Sequence, residues 1–138
     1  MREILFRGKT HKGEWVYGVP AKNDFNETFI VQGLFECDEY SCNGADCFDI
    51  DGNTIGQYTG LTDKNGTKIF EGDIIQFDYI GKNLGVNGIE TVVFKNGKFG
   101  VIWGTHRELV CLDGFANTTL EVIGNIHDNP ELLKEREG

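Results

Sequence analysis

Long apolar segments are absent from this 138-residue sequence, and proline, with two residues, is nearly absent as well. No apolar run approaches the ~18–20 residues that span a bilayer, and the residues after Met1 lack the apolar stretch of a signal peptide. These absences argue against a membrane protein and predict a cytoplasmic one. A mass of 15.4 kDa is also too small for a two-domain enzyme with a cofactor fold.

Basic residues are missing from one long segment, residues 23–63, which contains no Lys or Arg. Acids and bases are equal in number outside it, so the whole net charge of −9 lies within it. Its nine acids are Asp24, Glu27, Glu36, Asp38, Glu39, Asp46, Asp49, Asp51 and Asp63. Proteins that bind duplex nucleic acid present clusters of Lys and Arg. The sequence therefore predicts no direct binding to nucleic acid or to an anionic membrane.

Recognised catalytic motifs are missing too, and the three histidines, at positions 11, 106 and 127, are scattered. Glu71 and Asp73 could act as paired carboxylates in acid–base catalysis. Because they lie two residues apart beside a glycine, they are better explained as acceptors of backbone hydrogen bonds in a turn. We therefore predict that the protein is not an enzyme and that it holds no cofactor.

Zinc-knuckle spacing is also absent from the four cysteines, Cys37, Cys42, Cys47 and Cys111. The first three are each separated by four residues, and no pair of knuckles is formed. The spacing and the expected compartment favour independent reduced thiols over a disulfide, and a disulfide over a zinc site.

Two acidic windows resemble parts of a calcium-binding loop. One contains Asp46, Asp49 and Asp51 before a glycine, and the other contains Asp63 before Asn65 and a second glycine. Neither has the full ligand spacing of such a loop. We therefore expect solvated turn carboxylates and no metal site.

What the sequence does contain is glycine, with 19 residues, and aromatic residues, with ten Phe, four Tyr and two Trp. Glycines spread among aromatic and β-branched residues are typical of short strands joined by tight turns. The pattern predicts a mainly β protein with a small barrel-type fold. Most aromatics should lie in the core, although Trp15, Tyr40, Tyr58, Tyr79 and Trp103 are candidates for ligand contacts.

The predicted strands cover 2–7, 14–20, 28–35, 54–60, 73–80, 89–95, 98–103, 107–112 and 119–126. Residues 8–13 are expected to form a turn, and 36–53 a long loop or an irregular strand. Asn65–Gly66 predicts a tight turn, and Asn96–Gly97 predicts a type I′ hairpin. A helix of one or two turns should begin at Pro130, with Asn129 as its cap.

Two segments carry a resemblance to a known family. QYTGLTDKNGTKIFEGDII (57–75) and EVIGNIHDNPELL (121–133) resemble the two signature blocks of the YopX family of phage and prophage proteins. The opening ILFRGKTHKGEWVYG (4–18) is similar to the start of many members. The resemblance implies a single domain over 1–138, divided into an N-terminal β subdomain at about 1–55 and an SH3-like barrel at about 56–138.

The resemblance also defines ten motif residues, to which we assign structural roles. They are Tyr58, Gly60, Leu61, Gly66, Glu71, Gly72, Asp73, Gly124, Asn125 and Pro130. Gly60, Gly66 and Gly72 should lie where the chain turns, and Gly124 should mark a bulge or a close backbone approach. Leu61, Ile69, Phe70, Ile74 and Ile75 are expected to be buried.

The family pattern supplies no catalytic residue. It implies a phage or prophage accessory protein in the cytoplasm of a bacterial host, and we expect it to act as a non-catalytic module that binds a protein. The alternative is an acidic decoy, in which the carboxylates of 24–63 mimic nucleic acid and occupy a host DNA-binding protein. Self-association is a further expectation, because exposed strand edges can pair between copies.

Overall fold

The structure is a computed structural model and describes residues 3–33, 36–37, 42–43, 46–80, 85–103, 108–112 and 120–134. These contain thirteen strands and one helix. The strands are β1 (Phe6–Thr10), β2 (Trp15–Lys22), β3 (Thr28–Gln32), β4 (Glu36–Cys37), β5 (Cys42–Asn43), β6 (Asp46–Thr62), β7 (Lys68–Phe70), β8 (Asp73–Ile80), β9 (Gly85–Thr91), β10 (Val93–Lys95), β11 (Lys98–Trp103), β12 (Glu108–Cys111) and β13 (Glu121–Asn125). The helix is α1 (Glu131–Lys134). The predicted mainly β fold with a short C-terminal helix is confirmed.

The chain divides into two compact units, 1–58 and 59–138, and β6 crosses the boundary between them. In the first unit β1, β2, β3 and β6 are neighbours and antiparallel, and β1 also pairs with β6. Each of the four strands therefore pairs with two of the others. Val16, Ile30 and Ile50 form the buried core of this unit, with Phe6, Phe48 and Ile55 packed against it.

The second unit contains two three-stranded antiparallel sheets, ordered β13–β8–β9 and β10–β11–β12, and β7, which pairs with β6. Its core consists of seven buried apolar residues: Ile69, Ile75, Phe77, Val92, Val101, Leu112 and Leu120. The predicted burial of Ile69, Phe70, Ile74 and Ile75 is confirmed, and the half-buried Leu61 packs against the core. No helix of the described residues is long and apolar enough to cross a membrane.

Three hairpin turns are built in the same way. They begin at Thr10, Asn23 and Asp63, whose backbone carbonyls accept hydrogen bonds from the amides three residues later. Those later residues, Gly13, Asn26 and Gly66, have positive φ angles of 89°, 65° and 83°. In each turn a side-chain oxygen of the first residue also accepts a bond from the amide four residues later. A turn followed by one left-handed residue is a common three-residue hairpin connection.

The sequence prediction was wrong over residues 8–10, where β1 continues to Thr10 and Gly8 pairs with Val16. It also divided β6, which is a single strand from Asp46 to Thr62. The register of β6 against β1 shifts between Arg7 and Lys9, so the two-residue period is interrupted there. The strand expected over 89–95 is two strands, separated at Val92.

The hairpin between β10 and β11 confirms the predicted type I′ turn. Phe94 faces Phe99 and Lys95 faces Lys98, while Asn96 and Gly97 both have positive φ, at 56° and 77°. A β-carbon built on Gly97 has no atom within 4 Å. Any penalty for a larger residue there must therefore come from the backbone conformation, because there is space for the side chain.

We expect Gly97→Val to lower the free energy of unfolding by about 1–2 kcal/mol, because a β-branched residue disfavours a left-handed conformation. Urea unfolding of the purified protein measures the change. Gly97→Asn is the matched control and should be nearly silent, since asparagine tolerates this conformation. Equal stabilities for the Val and Asn variants would contradict the turn assignment.

Candidate functional site

The two signature segments, 57–75 and 121–133, are joined in the structure. β13 pairs antiparallel with β8, so that Asn125 lies opposite Asp73 and Gly124 opposite Ile74. The amide of Ile126 donates to the carbonyl of Gly72 at 3.0 Å. Residues 59–75 and 121–133, which are far apart in the chain, are therefore joined within the second unit.

Asp63 connects the two segments through its side chain. Its Oδ1 accepts hydrogen bonds from the amides of Asn65 and Thr67, both at 2.9 Å. Its Oδ2 accepts a third bond from the amide of Val122 at 3.0 Å, 59 residues away. The carboxylate, whose residue is only 2 % exposed, thus stabilises both its own turn and the attachment of β13.

Charged and polar groups continue this connection at the surface. Lys64 Nζ lies 3.6 Å from Glu121 Oε2, and Asn65 Nδ2 donates to Glu121 Oε1 at 3.5 Å. The amide of Lys64 also donates to the carbonyl of Leu120 at 3.0 Å. Exposed pairs of this kind add little stability by themselves, so among the side chains that join the two segments the buried Asp63 carboxylate should contribute most.

Asp73 is also buried and is used inside a turn. Its Oδ2 accepts a hydrogen bond from the amide of Phe70 at 2.7 Å, across the Glu71–Gly72 turn between β7 and β8. Its backbone carbonyl accepts a bond from Val92. The interpretation of Asp73 as an acceptor of a backbone hydrogen bond in a turn is confirmed.

The second signature segment contains a bulge at the predicted position. The register between β13 and β8 shifts between Val122 and Gly124. A β-carbon on Gly124 would lie 2.6 Å from Asn129 Oδ1, which is closer than real contacts allow. That oxygen accepts a hydrogen bond from the amide of Asn125 at 3.3 Å. The side chain of Asn129, which was predicted to cap the helix, therefore contacts β13. Pro130 follows immediately and precedes α1.

The other motif residues also have structural positions. Gly60 and Gly72 have positive φ angles of 88° and 91°; Gly72 lies in a turn, but Gly60 lies inside β6 and was wrongly expected at a turn. Tyr58 is buried in the first unit, and its amide donates to the carbonyl of Leu5. Asn125 Oδ1 accepts bonds from the amides of His127 and Asp128.

A depression of about 530 Å³ opens on the first unit. Three acids of the segment 23–63 line it, namely Glu27, Asp49 and Asp51, together with His11 and Lys22. These carboxylates have protein partners. Glu27 Oε1 accepts a bond from Asn23 Nδ2, Asp49 lies 3.5 Å from His11 Nε2, and Asp51 Oδ1 accepts a bond from the amide of Asn53. No three His, Cys, Asp or Glu side chains are close enough to hold a metal ion within the described residues.

A family model described as "YopX protein" matches residues 5–134, which is nearly the whole chain. The chain belongs to the YopX family. Its structure is similar to the crystal structure of protein EF1440 from Enterococcus faecalis, with a TM-score of 0.57 and 28 % sequence identity over 96 % of this chain and 99 % of that one. No protein with a curated description matches the chain significantly.

Several residues behind the YopX resemblance lie in turns, at a bulge or at buried positions. Among the cysteines whose side chains the structure describes, Cys47 and Cys111 are free thiols; the backbone pairs Cys37 with Cys42 across β4 and β5. The side chains of Cys37 and Cys42 lie outside the described residues, as do Tyr40 and the side chains of Tyr79 and Trp103. The acids Asp38 and Glu39, and the side chain of Glu36, lie outside them too.

The structure adds Tyr17 and Val19, which were not selected from the sequence, to the predicted contact residue Trp15 of this YopX protein, and the three form an aromatic surface on β2. Val16 faces the core, so its neighbours Trp15, Tyr17 and Val19 lie on the opposite face of the strand. Tyr17 is 44 % exposed and Val19 is 52 % exposed. The Arg7 guanidinium lies over the Trp15 ring, 4.7 Å from its centroid, and restrains that ring. The alternating pattern of WVYGV was the available signal.

The Asp63 carboxylate also gives stability a defined pH dependence. Burial by itself would raise its pKa, but hydrogen bonds from Val122, Thr67 and Asn65, with the nearby Lys64 charge, lower the pKa below its ordinary value of 3.8. The Asp63 carboxylate therefore contributes fully to the free energy of unfolding above its ordinary pKa of 3.8. That contribution is lost as the pH falls through the lower pKa of the folded state.

We expect acidification from about pH 5 to about pH 2.5 to destabilise the wild-type protein more than Asp63→Asn, which cannot titrate at this position. Urea unfolding at both pH values measures the two differences. The other carboxylates are common to both proteins. The difference between the two losses in unfolding free energy therefore reports on Asp63 alone. Equal losses in the two proteins would contradict the assignment.

Proposed function

We propose that this YopX protein is a phage or prophage accessory protein that acts in the host cytoplasm as a non-catalytic protein-binding module. The observation that supports the proposal is the aromatic surface of β2, formed by Trp15, Tyr17 and Val19. Tyr and Trp are enriched at protein interfaces because they bury a large area with few rotatable bonds. Apolar side chains that lie together at the surface commonly mark such interfaces.

The strands next to β2 extend this surface. Tyr17 lies opposite Arg7 of β1, and Val19 lies opposite the half-buried Val31 of β3. Arg7 is itself buried and packs over Trp15, so the surface offered to a partner is mainly apolar and aromatic. Such a surface suits a partner that presents an apolar patch.

As to architecture, we propose that 1–138 forms a single domain of barrel type, with an SH3-like C-terminal part from about residue 56. The pairing of each of β1, β2, β3 and β6 with two others supports a barrel-type first unit. The short antiparallel strands around the core of the second unit support the SH3-like interpretation.

The proposal is tested by comparing wild-type protein with Tyr17→Ser/Val19→Ser in pull-downs from phage-infected cells. Each partner found by mass spectrometry is then purified and its affinity measured by calorimetry. We expect the double variant to bind at least about tenfold more weakly, as central interface residues do. Lys95→Ser, an exposed change in the second unit, is the control and should bind normally.

Two results would overturn the proposal. One is full binding of every partner by the double variant. The other is turnover of nucleotides, esters or phosphodiesters by the purified protein that is lost in Glu71→Gln or Asp73→Asn, because this would place the protein among enzymes.

The acidic decoy is the alternative, and the observation that favours it is the gathering of Glu27, Asp49 and Asp51 around one depression. Asp63 cannot take part, because its carboxylate is buried and accepts three backbone hydrogen bonds. Binding to a host DNA-binding protein that weakens steeply with salt, and that is lost in Asp49→Asn/Asp51→Asn, would favour the decoy over the aromatic surface.

A further inference from the structure

The hairpin turn between β2 and β3 presents a single phenyl ring to solvent. Phe25 lies at the centre of the turn and is 84 % exposed, more than any other large apolar residue described. Exposure of a phenyl ring to water is unfavourable, because the favourable free energy of burying its apolar surface is not gained. Its position at the tip of a hairpin makes it available to another molecule.

Hydrogen bonds fix the backbone of the turn that carries Phe25. Asn23 Oδ1 accepts hydrogen bonds from the amides of Phe25 and Glu27, both at 3.0 Å, and Asn23 Nδ2 donates to Glu27 Oε1 at 2.9 Å. Asn26 completes the turn with a φ of 65°. Binding through this ring would therefore require little further ordering of the backbone, which favours affinity.

The second unit contains a cavity with more volume than the ~150 Å³ apolar cavity that accepts a benzene ring. It has a volume of about 320 Å³ and is lined by Leu61, Phe99, Cys111, Thr59 and Lys98. The Thr59 hydroxyl donates to the carbonyl of Ile69. Leu61, Phe99 and Cys111 make the rest of the lining mainly apolar, and the exposed Lys98 adds an ammonium group.

The charges beside the ring and beside the cavity are opposite. Asp24 and Glu27 flank Phe25 and are exposed, while Lys98 lines the cavity. We propose that Phe25 of one copy docks into the cavity of a second copy of this chain, with Lys98 facing the Asp24 and Glu27 carboxylates. The contact does not use Tyr17 or Val19, so it stands apart from the proposed partner-binding surface.

Each copy offers one ring and one cavity, so the same contact can be repeated between copies. The net charge of −9 on each chain opposes association. Measurements should therefore be made at about 0.15 M salt, where repulsion beyond about 8 Å is largely screened.

Cysteine trapping tests the contact directly, because Cys111 lines the cavity. Phe25→Cys should form an intermolecular disulfide with Cys111 when oxidised glutathione is supplied as the oxidant, the two thiols losing their protons and two electrons to it. The product is detected on non-reducing gels and located by mass spectrometry. The matched controls are Phe25→Cys/Cys111→Ser and Val19→Cys, and neither should give this crosslink. Crosslinking that is equally efficient without Cys111 would overturn the proposal.

Light scattering tests association without a crosslink. Wild-type protein should rise from 15.4 kDa toward multiples of that mass as concentration increases. Phe25→Ser and Lys98→Glu should each weaken association at least about tenfold. Adding Asp24→Lys/Glu27→Lys to Lys98→Glu should restore it.

The Tyr17→Ser/Val19→Ser variant should associate as the wild type does, which separates this inference from the proposed function. A wild-type mass that stays at 15.4 kDa at every concentration would overturn the inference. So would undiminished association of Phe25→Ser.

Discussion

Asp63→Ala is expected to lower the free energy of unfolding by about 3 kcal/mol. The substitution removes the acceptor for three backbone amides, those of Asn65, Thr67 and Val122. A bond to a charged acceptor contributes about 1.5–3 kcal/mol. Asn65 and Thr67 are exposed residues whose amides water can satisfy, so most of the loss should come from the bond of the half-buried Val122. Because the Val122 bond attaches β13, the loss should extend beyond the turn. Urea unfolding of the purified variant measures the change.

Asn23→Ala is the matched control, because Asn23 begins a turn of the same geometry. Its partners are exposed amides, which water can satisfy when the side chain is removed. We expect that variant to lose only about 0.5–1 kcal/mol. Similar losses for the two variants would show that the connection from Asp63 to β13 contributes nothing beyond the turn.

Phe77→Ala is expected to destabilise the protein by about 3–5 kcal/mol, the usual range for truncating a buried phenylalanine. The ring is 1 % exposed and lies in the core of the second unit with Ile75, Val92 and Leu120. Those neighbours belong to different elements or to their connections, so the cavity left behind cannot collapse easily. Thermal and urea unfolding measure the loss.

The control for that variant is Phe25→Ala, which removes the same side chain from an exposed position. It should change the stability of the dilute protein by less than about 0.5 kcal/mol. A loss for Phe77→Ala as small as that of the control would contradict the assignment of Phe77 to the core.

The family signature has a consistent physical meaning in this chain. The turn at Asp63–Thr67 and the turn at Glu71–Gly72 both bond to the segment that contains β13, and the bulge at Gly124 lies within the pairing of β8 with β13. In this chain, the residues that match the family signature are largely those that connect distant segments. The proposed binding surfaces, Tyr17 with Val19 and Phe25 with its cavity, lie outside the two signature blocks except for Thr59 and Leu61.

Features that depend on neighbouring residues could be predicted from the sequence. The alternation of Ile75 and Phe77 with Gln76 placed β8 at 73–80, and Asn96–Gly97 placed the hairpin between β10 and β11. Both signals are local, because side-chain direction alternates along a strand and positive φ favours Asn and Gly. The mainly β fold and the short C-terminal helix follow from the same local preferences.

Features that depend on distant segments were decided only by the tertiary structure. Phe48 and Ile50 alternate with acids, but the pairing of β6 with both β1 and β3 is what makes 46–62 one strand. The role of Asp63 depends on an amide 59 residues away, and a carboxylate in a turn has the same local sequence whether or not such a donor reaches it. Strand pairing and burial bring together residues whose separation in the chain carries no local signal, and these contacts decide which side chains link segments and which face solvent.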